Sequence, residues 1–449
     1  MKNYLTLVLA LTVVSSPAFA SRARLEALGE SGDGSYYIDD ARDIFLNPAQ
    51  IVHYKKKLWL EAGTDPGTSG SSVTPNGTGT NAMDVSPAGS RAQGGFSNTF
   101  GDFTYGVYFN HDSQKTLQNV SAANGALITQ QTAIRVAGGA TQSDAATAAA
   151  TNVLNSGFIA PDSNIELFFA GEGAINWGVS AWWAGNNQSG TVTDPTTSTA
   201  ITTSDRTAKQ IGARAGIEAG ALDVFATVGI VSKSYLNDTA NTQIDGKVGV
   251  EAGATYKMND MTGFAKFLDV GSDVNVDAQA GGAIPALDAN IRDIAYGVGM
   301  GWKHEMTKST NLFTRVEGDF EKLGVNGLNA NTWNIPVAVG AEAQALSWLT
   351  IRGSIQESII GEQYGNNPLT GGTAFRNSLA GTTTVALGVG LTFGDVQIDG
   401  LVATGGSPIN ATNASVAGNT AGFGTAPQSS GNFGFGDNMM TRLAVTYNF

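Results

Sequence analysis

Acid–base chemistry would fall most readily on the histidines, and the chain has three, His53, His111 and His304. None lies in a His-Glu-x-x-His pair or in a Ser-His-acid arrangement, so no catalytic residue is assigned and no enzyme is expected. Asp273-Val274-Asn275-Val276-Asp277 alternates oxygen-bearing side chains as calcium loops do. It lacks the central glycine and terminal glutamate of such loops and reads as a solvated acidic loop. Gly297, Gly299 and Gly301 share one face of a strand with no helix N-terminus after them. They suit close packing of a loop or of the N-terminal segment against a wall better than a phosphate. The chain has no cysteine, which removes thiolate sites and disulfides. No metal or cofactor is expected.

What remains is charge placed at every second position. Glu166, Arg214, Glu218, Asp223, Lys247, Glu251, Lys266, Lys303, Arg315, Glu317, Asp319, Glu342, Arg352 and Arg442 each alternate with apolar or small neighbours. Leu312, Thr314, Val316 and Gly318 face one way while Phe313, Arg315, Glu317 and Asp319 face the other. Leu349, Ile351, Gly353 and Ile355 oppose Thr350, Arg352, Ser354 and Gln356 in the same manner. In a soluble sandwich the apolar face would be the inner one. In a membrane barrel the polarity reverses, and the charged positions line a lumen where water solvates them and where they bias ion permeation.

Composition supports strands over helices: 58 of 449 residues are glycine and only 14% are charged. After the first twenty residues there is no apolar run of 18, so helical membrane spans are excluded. The net charge of −13 argues against nucleic acid as a partner. Sixteen strands are expected: 55–63, 92–100, 103–111, 163–171, 174–184, 207–218, 221–231, 242–256, 261–270, 291–304, 309–320, 333–344, 348–357, 382–393, 396–403 and 438–449. Turns such as Gly101-Asp102, Ala219-Gly220 and Gly394-Asp395 join one end of the pairs, and longer connections, including 185–206, join the other. Aromatic residues at many strand ends, among them Phe100, Phe103, Trp183, Tyr256, Trp302, Phe320, Trp348 and Phe393, fit interfacial girdles.

The termini give this pattern its setting. Lys2, the apolar run Leu5 to Val14 and the small-x-small site Ala18-Phe19-Ala20 predict a signal peptide over 1–20, cleaved before Ser21. At the other end Leu443, Val445, Tyr447 and Phe449 alternate with Arg442, Ala444, Thr446 and Asn448. This strand resembles the C-terminal signature of bacterial outer-membrane β-barrel proteins. That resemblance implies that Tyr447 and Phe449 act as an assembly signal read by the barrel-assembly machinery. It also implies a Gram-negative outer membrane with its lipid and lipopolysaccharide as surroundings, and a porin-like function with a homotrimer as the expected assembly.

The fold expected is therefore an all-β, transmembrane, antiparallel up-and-down barrel of about sixteen strands over 55–449, with short periplasmic turns and long extracellular loops. A barrel of that width leaves an aqueous channel. The first function expected is passive diffusion of small hydrophilic solutes and ions, narrowed by the long connection 112–162 folding inward. A second reading concerns residues 21–54, an N-terminal periplasmic or lumen segment that does not read as strand. Its Asn47-Pro48-Ala49 resembles the N-terminal hatch of the long-chain fatty-acid transporter family, which implies a plugged barrel that carries hydrophobic ligands.

Overall fold

In the apolar middle of a bilayer a backbone amide has no water to bond, so a strand wall there must close on itself. The computed structural model describes residues 21–63, 91–111, 159, 163–193, 200–236, 243–277, 287–366, 374–379, 383–404 and 442–449. The expected signal peptide, residues 438–441 of the last expected strand and all of 112–162 except Ile159 lie outside the described residues.

The strands are β1 Lys57–Gly63, β2 Arg91–Phe100, β3 Phe103–Phe109, β4 Ser163–Gly171, β5 Asn176–Thr193, β6 Ala200–Ala219 and β7 Leu222–Leu236. They continue as β8 Gln243–Gly246, β9 Gly249–Met258, β10 Met261–Val276, β11 Leu287–Thr307, β12 Thr310–Val325 and β13 Leu328–Leu346. The set ends with β14 Leu349–Asn366, β15 Ala374–Ser378, β16 Thr383–Phe393, β17 Val396–Thr404 and β18 Arg442–Asn448. Each pairs antiparallel with its neighbours, and β18 closes the ring on β1, Tyr447 opposite Leu58. β8 and β9 share one place between β7 and β10, and β15 and β16 share one place beside β14. The wall is thus a closed barrel of sixteen strands, as expected.

Two connections at the long-loop end are shorter than the sequence suggested. The expected loop 185–206 is largely strand, because β5 and β6 run on to Thr193 and from Ala200. Its threonines carry the β-branched preference that favours this. Between Phe320 and Trp333, β12 and β13 meet at Asn326-Gly327, with φ of 51° and 82°. Both residues tolerate the left-handed region that a two-residue hairpin turn requires.

The outer face of the wall is apolar. Leu443, Tyr447 and Phe449 point outward and Arg442, Ala444 and Thr446 inward, as their alternation predicts. On β14 the outer positions Leu349, Ile351, Gly353, Ile355, Ile359 and Ile360, interrupted by Glu357 in the half away from the turns, cover about 28 Å at ordinary strand rise and barrel tilt, close to the height of a bilayer's hydrocarbon core. Phe267, Tyr296, Phe320 and Trp333 stand opposite one another on four successive strands and form an aromatic row toward the long-loop end. Phe100, Phe103, Tyr256, Trp348 and Phe393 lie exposed at the turn end.

Ile355, near mid-height on this outer face and 48% exposed, tests the lipid-facing assignment. Ile355→Arg is expected to destabilise the barrel in lipid vesicles by about 2–4 kcal/mol in a urea titration, against about 0–1 kcal/mol for Lys322→Arg beyond the aromatic row.

Candidate functional site

Residues 21–56 run inside the barrel and are built from short elements that their own sequence caps. Ser21 accepts the Arg24 amide at 3.1 Å and opens α1, Arg22–Ala27. Asp40 and Asp43 form a reciprocal capping box around the 3₁₀ turn Ala41–Phe45, and Asn47 caps a second, Pro48–His53. None of these pieces is long enough to be stable alone. Their apolar side chains are buried on the wall: Leu25, Leu28 and Ile38 pack with Phe313, and Ile44, Phe45 and Ile51 pack with Trp59, Tyr108 and Phe168.

Buried charges tie the segment to the wall. Arg24 donates to Glu342 at 2.9 Å and to Asp40 at 3.0 Å. Glu342 also accepts from Arg352 at 2.6 Å, and Arg352 continues to Asp399 at 2.6 Å. Asp399 in turn accepts from the Ser21 hydroxyl at 3.0 Å. Glu26 is shared by Arg22 at 2.8 Å and Arg442 at 3.0 Å. Farther round, Arg42 donates to the Tyr108 hydroxyl at 2.9 Å, pairs with Glu61 at 3.4 Å and lies over the Phe45 ring at 4.5 Å. Arg315 pairs with Glu30 at 3.0 Å. His111 meets Asp33 at 3.1 Å and stacks on Phe45 at 3.6 Å.

The Asn47-Pro48-Ala49 triplet seats on two glycines. Asn47 donates to the Ile217 carbonyl at 3.1 Å, and a Cβ on Gly178 or Gly216 would overlap Ala49 and Pro48, or the Asn47 amide oxygen. Tyr36 stacks between Phe225 and Phe264, with centroids 6.1 and 5.0 Å away. Tyr37 occupies the space that a side chain at Gly301 would fill, so this glycine admits the N-terminal segment. Further contacts are Gln93 with Arg42, Gln50 with Asp223, His53 with Glu218, Lys257 with Asp39, Gly29 near Ser354, Leu28 on Gly340 and Ala27 on Gly388. The segment therefore touches all sixteen positions of the wall.

The charged positions singled out by alternation divide as follows. Glu342, Arg352, Arg315 and Arg442 face inward and meet the N-terminal segment or its partners. Glu166 pairs with Arg214 and accepts from Ser180 at 2.6 Å. Lys266 bridges Glu317 and Asp319 at 2.5 and 2.9 Å. Glu218, Asp223 and Glu251 also lie on inward positions, and Lys303 is exposed at the turn end. Lys247 departs from the expectation of a lumen position. It lies in the break between β8 and β9, packs on Gly271 and pairs with Asp273 at 3.0 Å on the outer face. The two-residue interruption shifts the phase of the alternation there.

The acidic loop expected at 273–277 is instead strand as far as Val276, paired with β11, and Asp273 belongs to an outer-face ion pair. Among the described residues no group of three metal-ligating side chains is brought together. Ile159, in the long connection before β4, is buried and accepts from the inward Ser234 hydroxyl at 3.1 Å. The segment's own charges, Arg24, Glu26, Glu30, Asp33 and Arg42, were not singled out from the sequence. Their signal was the density of ionisable residues in a stretch with no strand period.

No protein-family sequence model matches the chain, and no curated protein matches it. Solved structures with similarity to it include CdiB from Escherichia coli, at 10% identity and a TM-score of 0.38, covering 88% of this chain and 62% of that one. This chain thus spans about six-tenths of the length of CdiB. OmpT, an outer membrane protein of Vibrio cholerae, is 12% identical with a TM-score of 0.32, covering 74% and 94% of the two chains. The P. putida toluene transporter TodX is 12% identical with a TM-score of 0.32, covering 96% and 99%. These likenesses concern the barrel fold alone.

Two outcomes test the docking of the segment. Gly216→Val is expected to dislodge Asn47 and raise single-channel conductance in a planar bilayer, with the barrel still folded by heat-modifiable electrophoresis. The second concerns Asp40, whose carboxyl burial pushes up to about 7 against the pull of Arg24. A carboxyl raised on docking holds the docked state best at low pH and loses that contribution as pH rises through about 7. Opening should therefore increase between about pH 4 and pH 7 and level off above that, and Asp40→Asn, which keeps the cap, should flatten the dependence.

Proposed function

We propose that this chain is a stoppered channel of the bacterial outer membrane, through which small solutes pass when residues 21–54 yield. The observation that carries the reading is the contact of this one segment with every strand position of the wall. A ring of unpaired charges around water would suit an open pore, whereas here Glu342, Glu61, Arg315 and Arg442 meet opposite charges of the segment and other inward charges pair along the wall.

The solutes proposed are small and apolar or amphipathic. Along β8, β10, β11 and β12 the half away from the turns carries the buried inward aliphatics Ile244, Val270, Val274, Ile291 and Val325, with the inward Ser272, Asp293 and Glu321 among them. Apolar lining lowers the cost of holding an apolar solute out of water. The resemblance of Asn47-Pro48-Ala49 to a fatty-acid-transporter hatch agrees with this. A porin for hydrophilic solutes and ions is the second reading, favoured by the charged band of Arg214, Lys266, Arg315 and Glu317. We take no chemical step to be involved.

Planar-bilayer conductance of the purified full chain beside a variant lacking residues 21–54 tests the proposal. The full chain is expected to conduct weakly and the deletion strongly, with the full chain speeding entry of an amphipathic aromatic probe into liposomes, relative to protein-free liposomes, by a larger factor than entry of a sugar of equal size. A large steady conductance from the full chain would refute the stopper. Faster entry of the sugar would favour the porin reading.

A further inference from the structure

Outside the lumen, the extensions of β13, β14 and β15 carry a cleft of about 700 Å³ on the outer face of the wall. Register places its side chains in two cross-strand rows. Asn331 stands opposite Tyr364, and Tyr364 opposite Arg376; in the next row Trp333 stands opposite Glu362. A bulge at Ile359, between Ile335 and Pro336 on the partner strand, keeps all five on the outward side, and Asn366 closes the far end. Arg376 is 78% exposed and meets Glu362 through two nitrogens, Nη2 to Oε2 at 3.2 Å and Nε to Oε1.

Three physical features select what this cleft can hold. Its two charges cancel, so its floor does not favour an anion over a neutral group. The amides of Asn329, Asn331 and Asn366 and the spare guanidinium N–H groups present donors and acceptors side by side, which suits a ligand with adjacent hydroxyls. Trp333 and Tyr364 add flat apolar area with polar edges, which suits a ring that has an apolar face and a polar rim. A saccharide combines these properties. Depth decides its source: the cleft begins where the outer face turns from Ile335, Ile359 and Ile360 to the aromatic row ending in Trp333. That is headgroup level for the leaflet at the long-loop end.

We propose that this cleft binds the sugar headgroup of a membrane glycolipid, whose acyl chains lie along Ile335, Ile359 and Ile360. The site is independent of the stopper, since no residue of 21–54 contributes to it.

Calorimetric titration of the detergent-purified full chain tests this with three probes: rough lipopolysaccharide, its lipid-free core oligosaccharide and phosphatidylglycerol. Lipopolysaccharide is expected to bind, and Asn331→Ala and Tyr364→Ala are each expected to weaken it about tenfold, the size of one lost hydrogen bond for the first and of one lost ring contact for the second. Arg292→Ala, which removes a paired arginine of another outer-face sector, should leave it unchanged. Heat-modifiable electrophoresis confirms the fold of each variant, and Asn331→Ala alone carries the test if Tyr364→Ala does not assemble. Parental affinity in the folded variants would overturn the proposal. Equal affinity for phosphatidylglycerol, or for the lipid-free oligosaccharide, would overturn it as well.

Discussion

Charge removed from water must be answered by charge or by hydrogen bonds, and that requirement governs the interior of this barrel. Taking one partner from a buried pair costs about 3–5 kcal/mol, so Arg24, Glu342, Arg352 and Asp399 are stable together and unstable apart. The relation is mutual. The wall supplies counter-charges without which Arg24 and Arg42 could not be buried, and the N-terminal segment supplies the groups that let wall carboxylates lie away from solvent. A stretch with one six-residue helix and two 3₁₀ turns has too little core to fold by itself. The wall is its template.

The same alternation that provides the ionic interior provides the lipid-facing exterior. On β18 one strand places Arg442 against Glu26 and, one residue on, Leu443 into the outer band. Period-two geometry thus satisfies two solvents at once, and closing the ring satisfies the backbone. Where the period slips, the side chains change sides. The interruption at Lys247 sends it outward, while the bulge at Ile359 preserves an outward aromatic and amide surface on the longer extension.

The barrel was legible because its signal is repeated. Each strand such as Leu312–Asp319 or Leu349–Gln356 carries the same alternation, and the sixteen strands had to close as a set. Turn chemistry was less legible, since Asn326-Gly327 sits in a polar stretch that reads equally as loop or hairpin. The position of individual charges followed from phase wherever phase was unbroken, as for Arg315 and Arg352, and failed at Lys247 where it was not. The partners of those charges could not be read at all. Arg24 meets Glu342 across a separation of 318 residues, and nothing local to either residue encodes that encounter. Asn47-Pro48-Ala49 pointed to a hatch, but the glycines that receive it on β5 and β6 are ordinary strand glycines until the fold juxtaposes them.

Ser21 bonds Asp399 and Glu26 bonds Arg442, at separations of 378 and 416 residues. The start of the described chain is therefore held by some of its last residues. Until β17 and β18 arrive, α1 lacks the anchors at Asp399 and Arg442, and long-range closure of this kind is intrinsically slow. Seating the N-terminal segment and finishing the cylinder therefore become one event, since each supplies contacts that the other needs.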